Sequence, residues 1–508
     1  FLADDKLEGR RTGTKGEQLA SQYIVQQFEK NGLTPKGDNG GYLQPFEINE
    51  GKEILSSSFL IIDGEHLKVD KDFFPFSWSV DGKGEAVASP SLHESGGAWL
   101  WDIKEMLTEN EKSPHFDLMA AIRSKEKDAA KKGATALIIF NSGNKDAAVK
   151  YDGKDRSAAS AIPVIWLQKR MAGKIAKDPS HMMDINFKVE QGEKTRKGYN
   201  VVGYISNNAA STIIIGAHFD HLGYGEDHNS RSTELPAIHN GADDNASGTA
   251  ALLELSRILK KEGNRHNNYL FVAFSGEELG LFGSKYYTEH PTISFTDVNY
   301  MINMDMVGRY NDSSKAITIG GFGTSPSWST LLYEKKPAFT IKVDSSGTGP
   351  SDHTSFYRKD IPVLFFFTGL HNDYHKPSDD FEKINYEGEL MIVKYITRLI
   401  DRSSKSPKLA FTKTREQQTT TSARFTVSMG IMPDYTFSGG GVKVDGVSEG
   451  KAAQKAGLKA GDIVVKLGDF NVSSVESYMQ ALSKFKKGDA TKVKVKRGAE
   501  ELVFDINF

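Results

Sequence analysis

The stretch STIIIGAHFDH (residues 211–221) joins an apolar, β-rich run to side chains that can bind a metal. Residues 211–217 predict a buried strand, and His218 follows directly after it. The runs 269–274 and 300–304 have the same character, and they lead into the strings SGEELG (275–280) and NMDMVG (303–308). Because ligands bind at the carboxyl ends of strands in open α/β sheets, these runs predict an α/β domain with a polar site at one edge of its sheet.

Two further strings, GADDNASG (241–248) and YHKPSDD (374–380), add carboxylates and a histidine. In a hydrolytic site with two metals, each cation needs about four ligands, one of which is water, and a carboxylate bridges the two cations. The metals lower the pKa of the bound water to about 7, and a further free carboxylate takes the proton from it. The five strings supply this set of groups. We assign His218 and Asp305 to one zinc, Glu278 and His375 to the other, Asp244 to the bridge and Glu277 to the general base.

Residues around the ligands have candidate supporting roles. A ligating histidine normally donates its second N–H to a carboxylate or a carbonyl. Asp220 lies two residues after His218 and Asp379 lies four after His375, so both are candidates for this outer role, with solvated loop residues as the alternative. After Asp244, residues Asn245 and Ser247 are candidate caps of a helix whose apolar face includes the leucines at 252, 255 and 259.

Other histidines compete for the same roles. Five of the 13 histidines lie in or near the strings without being assigned, and each could be structural or solvated: His221, His228, His239, His353 and His371. His371 is the main rival of His375, and the flanking Tyr374, Pro377 and Asp379 favour His375. For the adjacent pair Glu277 and Glu278, a charged turn is the alternative reading, and only geometry can decide.

Length and composition set the outer limits. A chain of 508 residues is too long for one core and suggests about three domains. The net charge of −2 gives no electrostatic reason to expect nucleic acid or an anionic membrane as a partner. No cysteine is present, so any metal must be held by nitrogen and oxygen atoms. No apolar run approaches the roughly 20 residues of a membrane span.

The chain divides into several segments. Thr14-x-x-Glu17 is a capping box, and the stripe of Leu19, Tyr23, Ile24 and Phe28 predicts a helix that ends near Gly32. Residues 1–50 and 198–402 form the predicted catalytic domain. Residues 51–197 have short β-rich runs, with a helix over 122–132 before a buried strand at 136–140. The polar residues 403–422 are a predicted linker, and 423–508 form a last domain.

These strings resemble metallopeptidase family 28, the di-zinc aminopeptidases and their relatives, which include carboxypeptidases, glutaminyl cyclase and the transferrin receptor ectodomain. The resemblance implies a zinc exopeptidase fold, which is an α/β fold with a mixed β-sheet flanked by helices. It also implies two zinc ions, a cis peptide bond after Asp244, and Tyr374 as a group that stabilises the tetrahedral intermediate. The string SDH (351–353) recurs in the family as a wall of the active site. One departure is Lys376, where a small polar residue is usual, and it changes the charge at the rim of the cleft.

The resemblance extends to the other segments. LEGRRTG (7–13) resembles the start of related bacterial enzymes, and its two arginines are expected to be surface or structural residues. Residues 51–197 resemble an inserted protease-associated domain, with a plain structural insertion as the alternative. Residues 423–508 resemble a PDZ domain, with Met429-Gly430-Ile431 as the carboxylate-binding loop and AGLKAGD (456–462) as its turn. Its groove would hold a peptide C-terminus, or the module would serve only for packing.

These features predict a zinc aminopeptidase that acts on peptide substrates, and the resemblance implies that it is exported from a bacterium, either periplasmic or secreted. The signal segment is expected to lie outside this sequence. Two alternatives stay open: a di-zinc carboxypeptidase or dipeptidase, for which Arg309 and Arg358 lie near the strings, and a non-catalytic receptor-like binding protein. The full set of ligands and a general base favours an enzyme. The run of Phe365, Phe366 and Phe367 predicts a buried strand, part of which could line a pocket.

Overall fold

The computed structural model describes residues 1–508 except 112, 114–115, 156, 228, 233–235, 335–337, 415–426, 435–436, 438, 448–449 and 474. The chain divides into two compact units. The first contains residues 1–48 and 196–421, and the second contains residues 49–195 and 422–508. The first unit carries all five strings with candidate metal ligands.

The first unit is organised around a mixed sheet. Within the described residues its spatial order is Thr34–Pro35, Gln191–Ile205, Asn268–Phe274, Thr212–His218, Val298–Met304, Val363–Phe367, Ala316–Gly320 and Thr340–Val343, and Leu43–Ile54 also pairs with Gln191–Ile205. The four central strands from Asn268–Phe274 to Val363–Phe367 are parallel neighbours, and antiparallel pairs flank them. The three strands predicted from the sequence are therefore present, and their carboxyl ends meet at one edge.

Helices cover both faces of this sheet, and three of its central strands, Thr212–His218, Asn268–Phe274 and Val298–Met304, are buried at every position. On one face Ile213, Ile215 and Ala217 belong to the larger core cluster, which also receives side chains from the three long helices. On the other face Ile214 packs in a second cluster with Tyr287 and Phe356 of two short helices. The helices of this unit are Lys15–Lys30, Gly248–Lys261, Phe282–Glu289, Trp328–Leu331, His353–Tyr357 and Tyr386–Ser403, and the 3-10 helices are Asp5–Arg10, Asp38–Gly40, Phe295–Asp297, Phe322–Thr324 and Phe381–Lys383.

The first long helix begins differently from the predicted capping box. Thr14 is the N-cap residue, but its hydroxyl donates to the carbonyl of Arg11 instead of accepting an N–H of the helix. Glu17 accepts from the backbone N–H of Gly13, and its other oxygen accepts from Tyr199 N and Ser275 Oγ. The capping box is therefore replaced by long-range contacts that fix this helix to the start of SGEELG.

The predicted linker also differs from the structure at its start. The helix runs to Ser403, and the chain beyond it packs on the first unit. Leu409 is buried in the larger core cluster, its N–H donates to Asn299 Oδ1, and Thr412 N donates to the carbonyl of Thr324. The predicted linker residues 415–422 lie outside the described residues.

The inserted part of the second unit contains two small sheets. Their strands, in spatial order, are Glu65–Leu67, Phe59–Ile62, Met183–Val189 and Gly82–Ala88 in one sheet and Phe73–Pro75, Val164–Leu167, Ala136–Phe140 and Ala98–Asp102 in the other. The helices are Lys104–Glu109, Leu118–Lys131 and Lys169–Ile175. The predicted helix before Gly133 and the buried strand after it are both present, and Ala129 of the helix is buried.

Residues 431–508 form a third cluster of elements with a separate core. The strands are Ile431–Pro433, Val442–Val447, Ile463–Leu467, Phe470–Asn471, Ala490–Arg497 and Glu500–Asn507, and the helices are Ala452–Ala456 and Val475–Leu482. Tyr478 and Leu482 of the second helix are buried in this core. In the part of the chain that the structure describes, no helix combines the length and apolar character needed to cross a membrane.

Candidate metal centre

Each predicted ligand stands at the end of a central strand or in a loop beside that edge. His218 is the last residue of Thr212–His218, and Asp305 directly follows Val298–Met304. Glu277 and Glu278 follow Asn268–Phe274 after Ser275 and Gly276. Parallel strands bring these ends to the same edge of the sheet, so groups that are far apart in the sequence become neighbours.

Asp244 reaches the cluster from a tight turn that precedes a long helix. Residues Ala242–Ser247 form a π-helical turn before the helix Gly248–Lys261, and the peptide bond between Asp244 and Asn245 is cis, as the resemblance implied. Of the two predicted caps, Asn245 fills the role because its Oδ1 accepts the N–H of Gly248 at 2.9 Å. Ser247 instead donates to the carbonyl of Asp243.

The first group of candidate ligands consists of His218, Asp244 and Asp305. His218 Nε2 lies 3.5 Å from Asp244 Oδ1 and 3.4 Å from Asp305 Oδ1. Two ligand atoms that each lie about 2.0–2.2 Å from a tetrahedral zinc are about 3.3–3.5 Å apart, so these separations fit a shared cation. Asp305 Oδ1 is buried and has no hydrogen-bond partner among the described residues, which also fits a metal ligand.

The second group consists of His375, Glu278 and the other oxygen of Asp244. His375 Nε2 lies 3.2 Å from Asp244 Oδ2 and 3.1 Å from Glu278 Oε2. Burial alone would lower the pKa of His375, but the carboxylates of Glu278 and Asp244 raise it to about 11. The centre therefore strongly favours positive charge between these nitrogen and oxygen atoms, and a divalent cation meets that requirement.

The adjacent glutamates have different surroundings. Burial raises the pKa of Glu277 well above its ordinary value, and this effect exceeds the opposing one of His218. Burial also acts to raise the pKa of Glu278, but His375 and His221 outweigh it and hold the pKa well below the ordinary value. Glu277 Oε2 is 3.9 Å from His218 Nε2, and 11% of its side chain is exposed. The pair therefore separates into a fixed carboxylate and one suited to proton transfer.

Asp220 takes part in the outer shell through two kinds of contact. His218 Nδ1 lies 3.3 Å from the backbone carbonyl of Asp220 and 3.6 Å from its Oδ1, so the carbonyl is the nearer acceptor. The carboxylate accepts the backbone N–H of Glu277 at 3.1 Å and the hydroxyl of Thr12 at 3.0 Å. Asp220 thus links the histidine string to the glutamate string.

Asp379 is buried beside the centre, but the structure corrects its predicted contact with His375. His375 Nδ1 pairs with the carbonyl of Asn229 at 2.9 Å. Asp379 Oδ2 instead accepts the backbone N–H groups of Asp243 at 2.9 Å and Asp244 at 3.1 Å. The turn in which Asp379 N donates to the carbonyl of Lys376 directs this carboxylate towards the turn that carries Asp244.

His221 is the residue near the centre that the sequence assignment left out. Its Nδ1 lies 2.7 Å from Glu278 Oε1 and 4.0 Å from Asp244 Oδ2, so it forms a second possible ligand group with these two residues. The contact at 2.7 Å is a hydrogen bond that orients Glu278 and leaves its Oε2 to His375. The signal in the sequence was the spacing of HFDH, which places a second histidine just after the strand.

The other histidines lie outside the cluster of ligands. His371 Nε2 contacts Asp243 Oδ2 at 3.1 Å, and His239 Nε2 contacts Ser230 Oγ at 2.7 Å. His353 stacks on Phe365 with ring centroids 4.5 Å apart, and Phe365 stacks in turn on Phe367. His228 lies outside the described residues. His375 and not His371 is therefore the histidine of this loop that meets the carboxylates.

Tyr374 lies beside the second group. Its ring stacks on the ring of His375 with centroids 3.9 Å apart. Burial, followed by the carboxylates of Asp244, Glu278, Glu277 and Asp305, raises the pKa of Tyr374 far above its ordinary value. The phenol therefore stays protonated and available as a hydrogen-bond donor.

In the SDH string, Ser351 Oγ accepts from Asn303 Nδ2, and Asp352 and His353 are buried.

Comparison with known proteins agrees with this architecture. Peptidase family M28 matches residues 200–400, and a PDZ domain matches residues 412–508. Aminopeptidase YwaD of Bacillus subtilis is 27% identical over 277 residues, which are 52% of this chain and 56% of that protein. Leucine aminopeptidase 1 of Ajellomyces dermatitidis is 31% identical over 251 residues, which are 45% of this chain and 61% of that protein. The chain thus matches little more than half the length of these two relatives.

Two solved aminopeptidase structures also align with this chain. A zinc aminopeptidase from Bacillus subtilis aligns with 80% of this chain and 93% of its own length, with 21% identity and a TM-score of 0.44. An aminopeptidase from Aneurinibacillus sp. strain AM-1 aligns with 81% of this chain and 93% of its own length, with 23% identity and a TM-score of 0.40. Residues 200–400 are therefore a peptidase M28 domain, and residues 412–508 are a PDZ domain.

Proposed function

We propose that this chain is a zinc-dependent aminopeptidase that uses two metal ions to hydrolyse the N-terminal peptide bond of peptides. One observation carries the proposal: the two oxygens of Asp244 face different histidines, Oδ1 towards His218 and Oδ2 towards His375. A carboxylate shared in this way is what a bridged pair of cations requires. The M28 match and the aminopeptidase relatives support the reaction class.

The proposed ligands divide between two positions. His218 and Asp305 hold one ion, Glu278 and His375 hold the other, and Asp244 lies between them. When bound, the two ions supply Lewis acidity, which polarises the scissile carbonyl and lowers the pKa of water to about 7. Nitrogen and oxygen donors of this kind accept zinc and also cobalt or manganese. We assign His221 to the orientation of Glu278, since its ring makes a short hydrogen bond to that carboxylate.

Glu277 is the proposed general base. It takes a proton from water as the oxygen attacks the scissile carbonyl carbon, and it returns the proton to the amine nitrogen as the C–N bond breaks. Its backbone is fixed by Asp220, and the burial that raises its pKa makes it a stronger base than an exposed carboxylate. Tyr374 is the proposed donor to the oxygen that becomes negative in the tetrahedral intermediate.

The charge around the centre favours a substrate with a free amine. The carboxylates of Glu277, Asp305 and Asp244 concentrate negative charge beside the reacting position, where an ammonium group can bind. A carboxypeptidase requires a free arginine for the substrate carboxylate. Arg309 is instead engaged, because Nη2 contacts Asp373 Oδ2 and Nη1 donates to the carbonyl of Lys383. This arrangement supports the aminopeptidase over the carboxypeptidase.

A substrate panel tests the proposal. Aminoacyl-nitroanilides and unblocked peptides should be cleaved, and the same peptides with an acetylated N-terminus should be resistant. A chelator should abolish cleavage, and added zinc should restore it, with about two zinc ions bound per chain by elemental analysis. Cleavage of the blocked peptides alone would show a different exopeptidase. A chain that neither binds zinc nor cleaves any peptide would support the receptor-like alternative.

We infer separate binding roles for the other segments. In the PDZ domain, Gly430 has a positive φ of 85° and precedes the strand Ile431–Pro433, which supports the assignment of residues 429–431 as the loop that binds a peptide carboxylate. Residues 51–197 are assigned as a protease-associated domain on the resemblance of their helix and buried strand. A fluorescent peptide with a free C-terminus should bind, whereas its C-terminal amide should not.

A further inference from the structure

The segment LEGRRTG enters the interior beside the candidate metal centre. Gly9 has a φ of +66°, and a Cβ atom there would lie 2.6 Å from the carbonyl oxygen of His239 and 2.7 Å from that of Gly223. Only glycine fits this approach without a shift of the backbone. The next residue, Arg10, is completely buried, which fits the structural one of the two roles that the sequence left open.

The guanidinium of Arg10 donates to carbonyls of two loops that carry proposed ligands. Nε donates to the carbonyl of Phe219, the residue after His218, at 2.7 Å. Nη1 donates to Asn240 at 2.6 Å and Nη2 to Gly241 at 3.0 Å, in the loop that leads to Asp244. Nη1 also donates to the carbonyl of Leu2. Four of the five guanidinium N–H groups are thus used, and one rigid fork holds both loops.

Arg10 also brings a positive charge into a region rich in carboxylates. Burial lowers the pKa of Arg10 to about 10, and the carboxylates of Asp220, Asp244, Asp379 and Glu278 oppose that shift. The side chain is therefore charged at neutral pH. Since its hydrogen bonds to the described residues go to backbone carbonyls, its charge acts on the whole group of carboxylates and not on one partner.

Neighbouring residues of the same segment reinforce these contacts. The carbonyl of Arg10 accepts the N–H of His221 at 3.3 Å. Thr12 Oγ1 donates to Asp220 Oδ2 at 3.0 Å, and Asp220 in turn holds the backbone of Glu277. Arg10 and Thr12 together are therefore connected to the histidine string, the aspartate string and the glutamate string.

We propose that Arg10 is a positioning residue for the metal centre: it sets the distance between the His218 loop and the Asp244 loop and offsets the repulsion among the carboxylates. The inference rests on the proposed metal centre. Lysine cannot replace this group, because its donors radiate from one nitrogen and cannot reach carbonyls on separate loops.

Zinc affinity tests the role directly. We would measure it for the full chain, Arg10→Lys and Arg10→Gln by competition with a chromogenic chelator, together with the visible absorption spectrum of the cobalt-loaded proteins. We expect zinc affinity to fall about 10- to 100-fold in both variants, with a changed cobalt spectrum. Arg11→Gln is the matched control, because Arg11 pairs with Asp227. In that variant Asp227 still has Arg196 as a partner. Arg11→Gln should keep the wild-type affinity and spectrum.

The stability of each metal-free protein in urea separates positioning from folding. If the Arg10 variants lose stability but bind zinc with wild-type affinity and spectrum, Arg10 is only structural and the proposal fails. It fails equally if both variants remain unfolded with excess zinc. A wild-type chain that binds no zinc would instead overturn the proposed function itself.

Discussion

The carboxylate of Asp220 accepts the backbone N–H of Glu277, with 3.1 Å between Asp220 Oδ1 and the nitrogen. Asp220 Oδ2 accepts from Thr12 and lies 3.4 Å from the backbone nitrogen of Glu278. In Asp220→Asn, the side-chain NH2 group would face the N–H and O–H donors that the carboxylate accepts from, so one of these hydrogen bonds would be lost. We therefore expect Asp220→Asn to lower kcat about 10- to 100-fold, because Glu277 loses its fixed position. Steady-state kinetics would show this change, and the exposed Asp297→Asn should leave kcat unchanged. An unaffected kcat in Asp220→Asn would mean that the proposed base is held by other contacts.

Glu277→Gln isolates proton transfer from metal binding. Glutamine has the same shape but cannot take a proton from water, so we expect kcat to fall by a factor of about 10²–10⁴ while both zinc ions stay bound. Kinetics combined with elemental analysis of the same sample checks both parts. Glu278→Gln is the matched comparison, and it should lose zinc. Near-normal turnover of Glu277→Gln would assign the general base to another group.

His375→Ala should reduce the zinc content from two ions to one per chain. Its Nε2 faces the carboxylates of Asp244 and Glu278, so its removal leaves that position with too few ligands. His371→Ala removes a histidine four residues earlier that contacts Asp243, and it should retain both ions. If His371→Ala lost one zinc ion and His375→Ala kept both, His371 would be the ligand.

Asp244→Ala should lose more metal than any other single change. Both groups of ligands use one of its oxygens, and each group is left with two protein ligands when the carboxylate is removed. Elemental analysis after dialysis should find less than one zinc per chain. One tightly bound ion in this variant would contradict the bridging role.

Glu389 predicts a pH dependence of stability that is separate from catalysis. It is buried in the helix Tyr386–Ser403, and burial together with the nearby Asp243 raises its pKa from 4.5 to about 8. Because the folded pKa is raised, the stability contributed by the bound proton is fully present below pH 4.5 and is lost as the pH rises through about 8. Each pKa unit corresponds to about 1.4 kcal/mol.

Glu389→Gln removes this dependence because glutamine is neutral throughout. The variant should gain stability relative to the wild type as the pH rises from about 5 to about 9, measured by urea unfolding. Glu387→Gln, at an exposed position of the same helix, should follow the wild-type profile. Parallel pH profiles for the wild type and Glu389→Gln would show that this carboxyl group titrates normally.

The sequence was sufficient for the elements whose pattern is local. The apolar run ending at Phe274 appears as the strand Asn268–Phe274, and the ligands follow the strand ends as expected. A run of buried β-formers determines its own conformation, and parallel neighbours place their ends together. The proposed ligand set could therefore be assembled from five strings before any distance was known.

The parts that could not be predicted depend on contacts between distant residues. Asp379 meets the backbone of Asp244 and not His375, because the turn after Lys376 sets its direction. Thr14 and Glu17 fit a capping box in sequence, but Ser275 and Tyr199 compete for the glutamate. The sequence left Arg10 as a surface or a structural residue, and only its contacts with the loops at 219 and 240–241 distinguish the two. Periodicity and spacing carry no signal for such pairings.

The order of the ligands along the chain has a consequence for biosynthesis. His218, Asp244, Glu278 and Asp305 leave the ribosome before His375, and the loop that Arg10 holds forms only after residue 241 has emerged. Domains are completed as translation proceeds, at roughly 5–20 residues per second. A nascent or prematurely terminated chain that lacks the last histidine would complete the ligand set of only one of the two proposed ions. The proposed hydrolytic activity would therefore arise late, when most of the polypeptide can already fold around the centre.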